Sequence, residues 1–541
     1  MTTTLTRRDF LQLGGAASLA MILPVRGADP RTRTADVCVY GGNAAGIVAA
    51  VAAAREGCRV LVIEPSRWLG GMTGGGLVHI DWGRPEAAGG SARKLLKDGL
   101  TDPQYRRRFA DLAKEHGIDV LYEHRVASVA RHGATIQSIA LDFAPPERFG
   151  CPIPQPKAAR AVNVVARMFI DCSYEGDLMA KAGVSYTYGR ESIDHYGESL
   201  AGVRPSLAVY AVDPYVQPGN PRSGLLPLLQ DLTMGPLGSA DQLTMGYGFR
   251  WKFTLSPNQL PIDPPDDYDP RTFELYRRAF TSKIKLEGRR MRKLGVYEEA
   301  SGAIHSPGMG NLARSLIAPT VYGCNAAYPD GDWPTRARIW QFHQDFMRGM
   351  TRFLRTDPSA PEKLKQRATA VGFEPGLFDD TAGWPHQLYV REARRMVSTY
   401  VVTQKDLEGK TDPGDSVGLA SYGVDDWPYA MHPFEGKVAL QGGDYSMLYL
   451  DEAHRGIYKI PYRAITPKPD QCTNLLVPVC VSASHIAMTS IRMEPVWMTL
   501  GESAGVAAAM ALKARLTVQE VDYRQLRTKL LGLSLKLDRP V

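Results

Sequence analysis

The sequence predicts an α/β fold, and three observations predict it. Two short apolar runs, Asp36–Tyr40 and Arg59–Ile63, flank a glycine turn and an Ala/Val-rich segment. A third apolar run, Ala166–Asp171, ends in an acid. A fourth, Asn474–Val479, precedes a helix-forming stretch that opens at Pro495. Apolar runs of this length, bounded by turn residues, read as buried strands.

The first unit is the most informative. After Asp36–Tyr40 comes Gly41-Gly42-Asn43-Ala44-Ala45-Gly46, then a helix over Ile47–Arg55 closed at Gly57, then a strand ending in Glu64. Strand, glycine turn, helix, strand and acid form a Rossmann-type dinucleotide unit. Gly41 permits the tight turn, and Gly46 lets helix and strand pack closely. Gly42, Asn43, Ala44 and Ala45 complete the turn, where the helix N-terminus offers N–H groups to a pyrophosphate. Glu64 stands where an acid accepts from ribose hydroxyls. Asn43 occupies the place of the middle glycine of G-x-G-x-x-G, so its Cβ leaves less room for phosphates. The same residues without a ligand are an Ala-rich core helix after a glycine turn.

Composition bounds the remainder. The chain has 541 residues, 44% hydrophobic and 22% charged, enough for a sizeable core and too apolar for a disordered chain. Its net charge of +7 is spread without a polybasic block, which argues against nucleic acid as the main partner. Uncharged apolar stretches fall short of the ~20 residues a membrane span needs, so no integral span is expected in the mature form. The seven cysteines include no C-x-x-C pair, so iron–sulfur, c-type haem and zinc-ribbon sites lack their ligand patterns, and no metal is expected.

The N-terminus reads as an address. Arg7-Arg8-Asp9-Phe10-Leu11 precedes an uncharged stretch to Val25 and a small residue at Ala28. This is the order of a twin-arginine export signal over residues 1–28, with the Tat machinery as partner and the periplasm as destination. An amphipathic helix or a membrane anchor is the alternative.

Further along stand Trp68-Leu69-Gly70-Gly71-Met72-Thr73-Gly74-Gly75-Gly76 and Ser173-Tyr174-Glu175-Gly176-Asp177-Leu178. Trp384–Arg395, Ile460-Pro461-Tyr462-Arg463 and Ile491-Arg492-Met493-Glu494-Pro495 follow. On these motifs the chain resembles FAD-dependent oxidoreductases of the glutathione-reductase-like class, in particular a bacterial family sometimes labelled "xanthan lyase". The resemblance implies FAD as cofactor and an FAD domain assembled from residues 34–200 and 456–541. Residues 201–455 would then be an inserted α+β cap or substrate domain, with helical patterns near 270–296, 336–356 and 386–398. It also implies FAD contacts from Gly70, Gly71, Met72, Thr73, Gly75, Gly76, Val126, Asp171, Arg492, Glu494 and Pro495.

The C-terminal block suggests chemistry. Ser482–Thr489 reads as a polar turn, and Pro495 as the first residue of a helix whose dipole favours a reduced, negatively charged flavin. Arg492 would add a full charge there, or else pair with Glu494 or Glu502 for structure alone. His485 is the foremost acid–base residue by type and place, or a histidine that holds its turn by backbone hydrogen bonds. His386 and Tyr422 are the next in line. Tryptophans 251, 333, 340, 384 and 427 in the cap suit an aromatic or sugar substrate, and suit a core equally.

The function expected is oxidation of a small organic substrate by hydride transfer to flavin N5. Electrons would pass on to oxygen, a quinone or a carrier protein. A flavin-dependent reductase, or a non-redox polysaccharide-binding or lyase-type protein on the same fold, are the alternatives.

Overall fold

The computed structural model describes residues 31–282 and 316–540. Residues 1–28, read above as an export signal, lie outside the described residues. The fold is α/β, as expected, and its main sheet has seven strands.

Strand β1 (Arg31–Tyr40), helix α1 (Ala44–Arg55) and strand β2 (Val60–Glu64) form the predicted unit. Helix α2 (Gly71–Gly75) and helix α3 (Asp102–Glu115) follow, then β3 (Asp119–Tyr122), β4 (His124–His132), β5 (Thr135–Phe143) and β6 (Ala158–Asp171). The sheet runs β3-β2-β1-β6-β5-β4. β1 pairs in parallel with β2 and β6, placing Tyr40 level with Ile63 and with Asp171. The turns after all three strands therefore leave the sheet at one edge, outside the carboxyl ends, where open α/β sheets bind ligands.

Residues 201–455 contain β7 (Ser206–Tyr210), helix α4 (Trp333–Thr356), β8 (Pro428–Phe434) and β9 (Lys437–Gly442). The three strands pair antiparallel in the order β8-β9-β7. Asp332 caps α4 by accepting from the Thr335 N–H, as a short carboxylate does at a helix start. Trp251 and Trp384 stack edge-on with centroids 5.2 Å apart and both are buried. These two tryptophans are core rather than pocket lining.

The chain then returns to the main sheet. Strand β10 (Leu475–Leu476) pairs in parallel with β6, and helices α5 (His485–Ile491) and α6 (Glu494–Ala514) follow. α6 is apolar on nearly every side and buried almost throughout, as a helix packed on several faces must be. It lies so close to α1 that a Cβ on Gly501 or Gly505 would sit 2.4 Å from the Ala45 carbonyl or 2.2 Å from that of Ala49.

Three sequence expectations need correction. The pattern at 386–398 is not a helix but irregular chain with one short strand, Arg395–Met396. Its charged residues, spaced as if for a solvated helix face, are instead buried: Arg391 and Arg395 are 1% and 0% exposed. The Ser482–Thr489 turn contains helix α5, begun by the Ser484 side chain, which accepts from Ala487 N–H. The strand at 474–479 is only two residues long, because Val477 donates its N–H to the Ile465 carbonyl instead of continuing the ladder with β6. Of the 270–296 pattern, Glu274–Thr281 is helical and the part beyond 282 lies outside the described residues.

Candidate functional site

The glycine turn is built as its sequence demands. Gly41 has φ +98°, and a Cβ there would meet the Ser173 nitrogen at 2.8 Å. A Cβ on Gly46 would fall 1.9 Å from the Gly41 carbonyl oxygen, so α1 can cross β1 only with glycine there. Asn43 is the N-cap of α1. Its Oδ1 accepts from the Gly46 N–H at 2.9 Å, and its Nδ2 donates to the Cys172 carbonyl. The departure from the glycine motif thus ties the turn to the end of β6. Ala44 and Ala45 open the helix.

Glu64 closes on the turn. Its carboxylate accepts from the Gly42 and Ser66 N–H groups, each at 2.7 Å. Burial pushes the group above the ordinary carboxylate range. Spacing assigns ribose hydroxyls to Glu64; here the turn's own backbone supplies its donors. Asp171 is occupied likewise, accepting from the Ser173 N–H and hydroxyl and from the Met179 N–H. Burial raises it to about 6. It fastens the 171–179 turn rather than facing a ligand. Val126, in β4, donates its N–H to the Tyr40 hydroxyl at 3.3 Å.

The second glycine segment approaches α6. Gly70, Gly71 and Gly76 all have positive φ, and a Cβ on Gly71 would meet the Tyr174 hydroxyl at 2.4 Å. Gly75 and Gly76 face the 385–387 segment, where a Cβ would meet Gln387 at 3.1 Å and Pro385 at 2.6 Å. Met72 donates its N–H to the Tyr174 hydroxyl at 2.9 Å. Tyr174 in turn donates to Glu494 Oε1 at 2.9 Å, and Thr73 donates to Glu494 Oε2 at 2.6 Å. Burial pushes the Glu494 carboxyl up to about 7, against the lowering effect of those two hydroxyls. Glu494 is the first residue of α6 and Pro495 the second, one place later than expected.

A small cavity lies where these elements meet Tyr389. It is lined by Met72, Leu77, Asp81, Tyr389, Arg492, Met493 and Glu494. Arg492 pairs with neither Glu494 nor Glu502. It donates to the Tyr389 hydroxyl at 2.8 Å and to Asp425 Oδ2 at 2.8 Å. Glu502 is taken by the Ser91 N–H and hydroxyl. Tyr422 is partly buried beside this group, its hydroxyl raised by burial and by Asp81 and Asp425.

The two histidines do not line the cavity. His485 is 1% exposed; its Nδ1 lies 2.8 Å from Glu392 Oε2 and its Nε2 2.6 Å from the Tyr429 hydroxyl. Burial alone would lower it, but Glu392 and Asp426 outweigh burial and push it up to about 9. A charged imidazole with both nitrogens engaged positions its neighbours and has no free nitrogen for a substrate. His386 stacks on Trp68 at 3.8 Å, with Nε2 2.9 Å from Asp380. Burial lowers it, with Asp380 opposing.

Sequence reasoning missed Tyr389, Asp81 and the role of Tyr174. Tyr389 and Tyr174 lie inside motifs that carry the family resemblance, and that was their signal. Asp81 carries none. Among the described residues no cluster of His, Cys, Asp and Glu has metal-site geometry, and no helix is long and apolar enough to cross a membrane.

A glycine cradle at the carboxyl ends of parallel strands, with a helix N-terminus behind it, defines a dinucleotide-binding protein. The family described as FAD dependent oxidoreductase matches residues 36–530, and the chain belongs to it. No curated protein matches the chain. Among solved structures it is similar to a geranylgeranyl bacteriochlorophyll reductase-like protein from Thermoplasma acidophilum, at 22% identity over 28% of this chain and 43% of that one, TM-score 0.20. It is similar also to T. acidophilum thioredoxin reductase, at 22% identity over 26% of this chain and 35% of that one, TM-score 0.17. A third is 3-ketosteroid-delta4-(5alpha)-dehydrogenase from Rhodococcus jostii RHA1, at 16% identity over 29% and 51%, TM-score 0.19. The chain thus spans under half the length of the first two relatives.

The residues present fit FAD. Gly41, Gly42 and Gly46 let the turn close tightly against Ser173, Leu69 and the start of α1, where a Cβ would collide, and that helix start offers N–H groups suited to a pyrophosphate. Glu64 stands at the end of β2.

Proposed function

We propose that this chain is an exported flavoenzyme that oxidises a small organic substrate in the cavity between α2, the start of α6 and Tyr389. The observation that carries this reading is the bridge from Thr73 and Tyr174 to Glu494, which joins the second glycine segment to the helix start at the cavity wall. Gly41–Gly46, Glu64 and the Gly70–Gly76 segment would hold the cofactor. FAD, when bound, supplies a two-electron acceptor that takes a hydride at N5.

The chain's own groups would handle charge and protons. The Tyr389 hydroxyl and the Glu494 carboxyl are the proton-carrying groups on the cavity wall, and they take the role that sequence reasoning gave to His485. Arg492 supplies a fixed positive charge where negative charge develops. Tyr389 accepts a hydrogen bond from Arg492, so its own proton remains available to give.

Residues 34–200 and 456–541 would make the FAD domain and 201–455 the cap, a division supported by β10 joining β6 and α6 packing on α1. Export rests on Arg7-Arg8 and the segment after them. Electrons would leave to oxygen, a quinone or a carrier protein.

The test is an anaerobic screen of candidate substrates against the purified protein, followed by its visible flavin spectrum. Bleaching by an organic donor is expected. A protein that releases no FAD on denaturation overturns the reading. Bleaching by NAD(P)H, followed by reoxidation with an organic acceptor, would reverse the direction. Separately, Arg7→Lys with Arg8→Lys should leave precursor unexported; unchanged delivery would refute the export proposal.

A further inference from the structure

The segment that enters β8 grips helix α5 at both of its ends. His485 begins α5 and Arg492 caps it. At the first end, the Tyr429 hydroxyl donates to Asp426 Oδ1 and lies 2.6 Å from His485 Nε2. At the second, Asp425 holds Arg492 twice, by its carbonyl at 3.1 Å and by Oδ2 at 2.8 Å. Asp426 links the two ends. It is 2% exposed, it accepts the Gly443 N–H at 3.3 Å, and its own N–H donates to the Tyr445 carbonyl at 3.1 Å.

A phenol carries one proton, so Tyr429 can give it to Asp426 or to His485 and not to both. The surroundings of the imidazole decide which. Glu392 lies 2.8 Å from Nδ1, Asp426 lies 3.9 Å from Nε2, and Glu191 accepts the His485 N–H at 2.8 Å. Glu198 is within electrostatic reach. Two arginines stand further out: Arg395, 3.5 Å from Glu392, and Arg190, 4.2 Å from the Tyr429 ring centre. Carboxylates thus hold the imidazole in its charged form, which donates from both nitrogens. Nε2–H gives to Tyr429, and Tyr429 gives to Asp426. Once that proton is lost, Nε2 becomes an acceptor and draws the Tyr429 proton away from Asp426.

We propose that Tyr429 is a positioning residue for the cavity: its hydroxyl proton, turned toward Asp426 by the charged His485, sets the 425–426 backbone that holds Arg492 at the cavity wall. This deepens the oxidoreductase reading above and rests on it for what Arg492 does there. It also makes the His485 proton a control on the placing of a charge that the histidine does not touch.

The test compares the wild-type holoprotein with Tyr429→Phe, which keeps the ring beside Arg190 and removes only the hydroxyl. Flavin midpoint potentials are measured by dithionite titration from pH 6 to 10, so no organic substrate is needed. The wild-type potential should show an added downward step as His485 loses its proton near pH 9. At pH 7, Tyr429→Phe should have a reduction constant at least tenfold lower, about 30 mV for two electrons, and it should lack the step. Asp426→Asn should lack the step as well, and it decides alone if Tyr429→Phe does not fold. A Tyr429→Phe protein with the wild-type potential and step overturns the proposal, as does an Asp426→Asn protein that keeps the step. A double-mutant cycle of Tyr429→Phe with Arg492→Gln, read by urea unfolding, needs no FAD. Distant, independent sites add, so coupling of at least fivefold in the unfolding constant is expected and additivity overturns the proposal. A protein that releases no FAD sinks the oxidoreductase reading, and the cycle then decides the positioning role by itself.

Discussion

His485 and Glu392 face each other 2.8 Å apart, at 1% and 0% side-chain exposure, joining the start of α5 to a segment 93 residues earlier. Glu191 accepts the His485 N–H at 2.8 Å, and Arg395 lies 3.5 Å from Glu392. The pair thus ties the start of α5 to the segment that carries Glu392 and Arg395. Removing one partner of a buried ion pair leaves the other uncompensated, at about 3–5 kcal/mol. His485→Leu should therefore unfold at markedly lower urea with FAD loss following stability. The pH sense is fixed by the raised imidazole: its stabilising share is complete below ~6.5 and fades as pH climbs through about 9. Urea midpoints across pH 6–10 check this. A variant whose midpoint equals wild type throughout would show that the pair contributes nothing.

Asn43 carries the second prediction. Restoring glycine there would, on the dinucleotide motif alone, make more room for phosphates. The structure gives the opposite expectation, because Asn43 caps α1 and donates to the Cys172 carbonyl. Losing a cap and a buried hydrogen bond costs about 1–2 kcal/mol. Asn43→Ala should lose that stability, and Asn43→Gly should retain FAD no better than wild type. Tighter FAD binding by Asn43→Gly, measured by equilibrium dialysis, would contradict this.

Gly505 supports the third. Replacing a helical glycine by alanine on an open surface stabilises a helix by about 1 kcal/mol. At Gly505 the new Cβ would lie 2.2 Å from the Ala49 carbonyl oxygen, so the two helices must separate. Overpacking of this sort costs about 1–3 kcal/mol. Gly505→Ala should thus destabilise, and because α1 begins at the glycine turn, FAD retention should fall with it. A raised urea midpoint would show that the helices can shift at little cost.

These contrasts show what the sequence could disclose. Gly41, Gly46 and Glu64 were legible because a tight turn, a close crossing and a strand end each demand a residue type locally. His485 was legible as buried-or-catalytic but not as which, since Glu392, Asp426 and Tyr429 arrive from 56–93 residues away. The 386–398 segment misled because its charged spacing matches a solvated helix. Its arginines are instead satisfied by distant groups, such as Glu191 and the Ala483 carbonyl for Arg395. Asp81 had no local signal, and only folding brings it to Arg250.

Glu494 yields the last prediction. It begins α6, its two oxygens accept from Thr73 and Tyr174, and burial lifts its carboxyl from 4.5 to about 7. A carboxyl raised on folding favours the folded state when protonated. That contribution is complete below the unfolded value near 4.5 and disappears as pH rises through about 7. By pH 8 the buried charge costs on the order of 3 kcal/mol. Glu494→Gln keeps the shape and removes the charge, so it should gain stability at pH 8 and change little at pH 4. Its urea midpoint should lack the wild-type decline between pH 4.5 and 7. Because the same carboxyl lines the cavity, the variant should also flatten the pH profile of substrate-driven flavin bleaching over that range. A variant that keeps the wild-type decline in stability would place the titrating group elsewhere, beginning with Asp171, which burial raises to about 6.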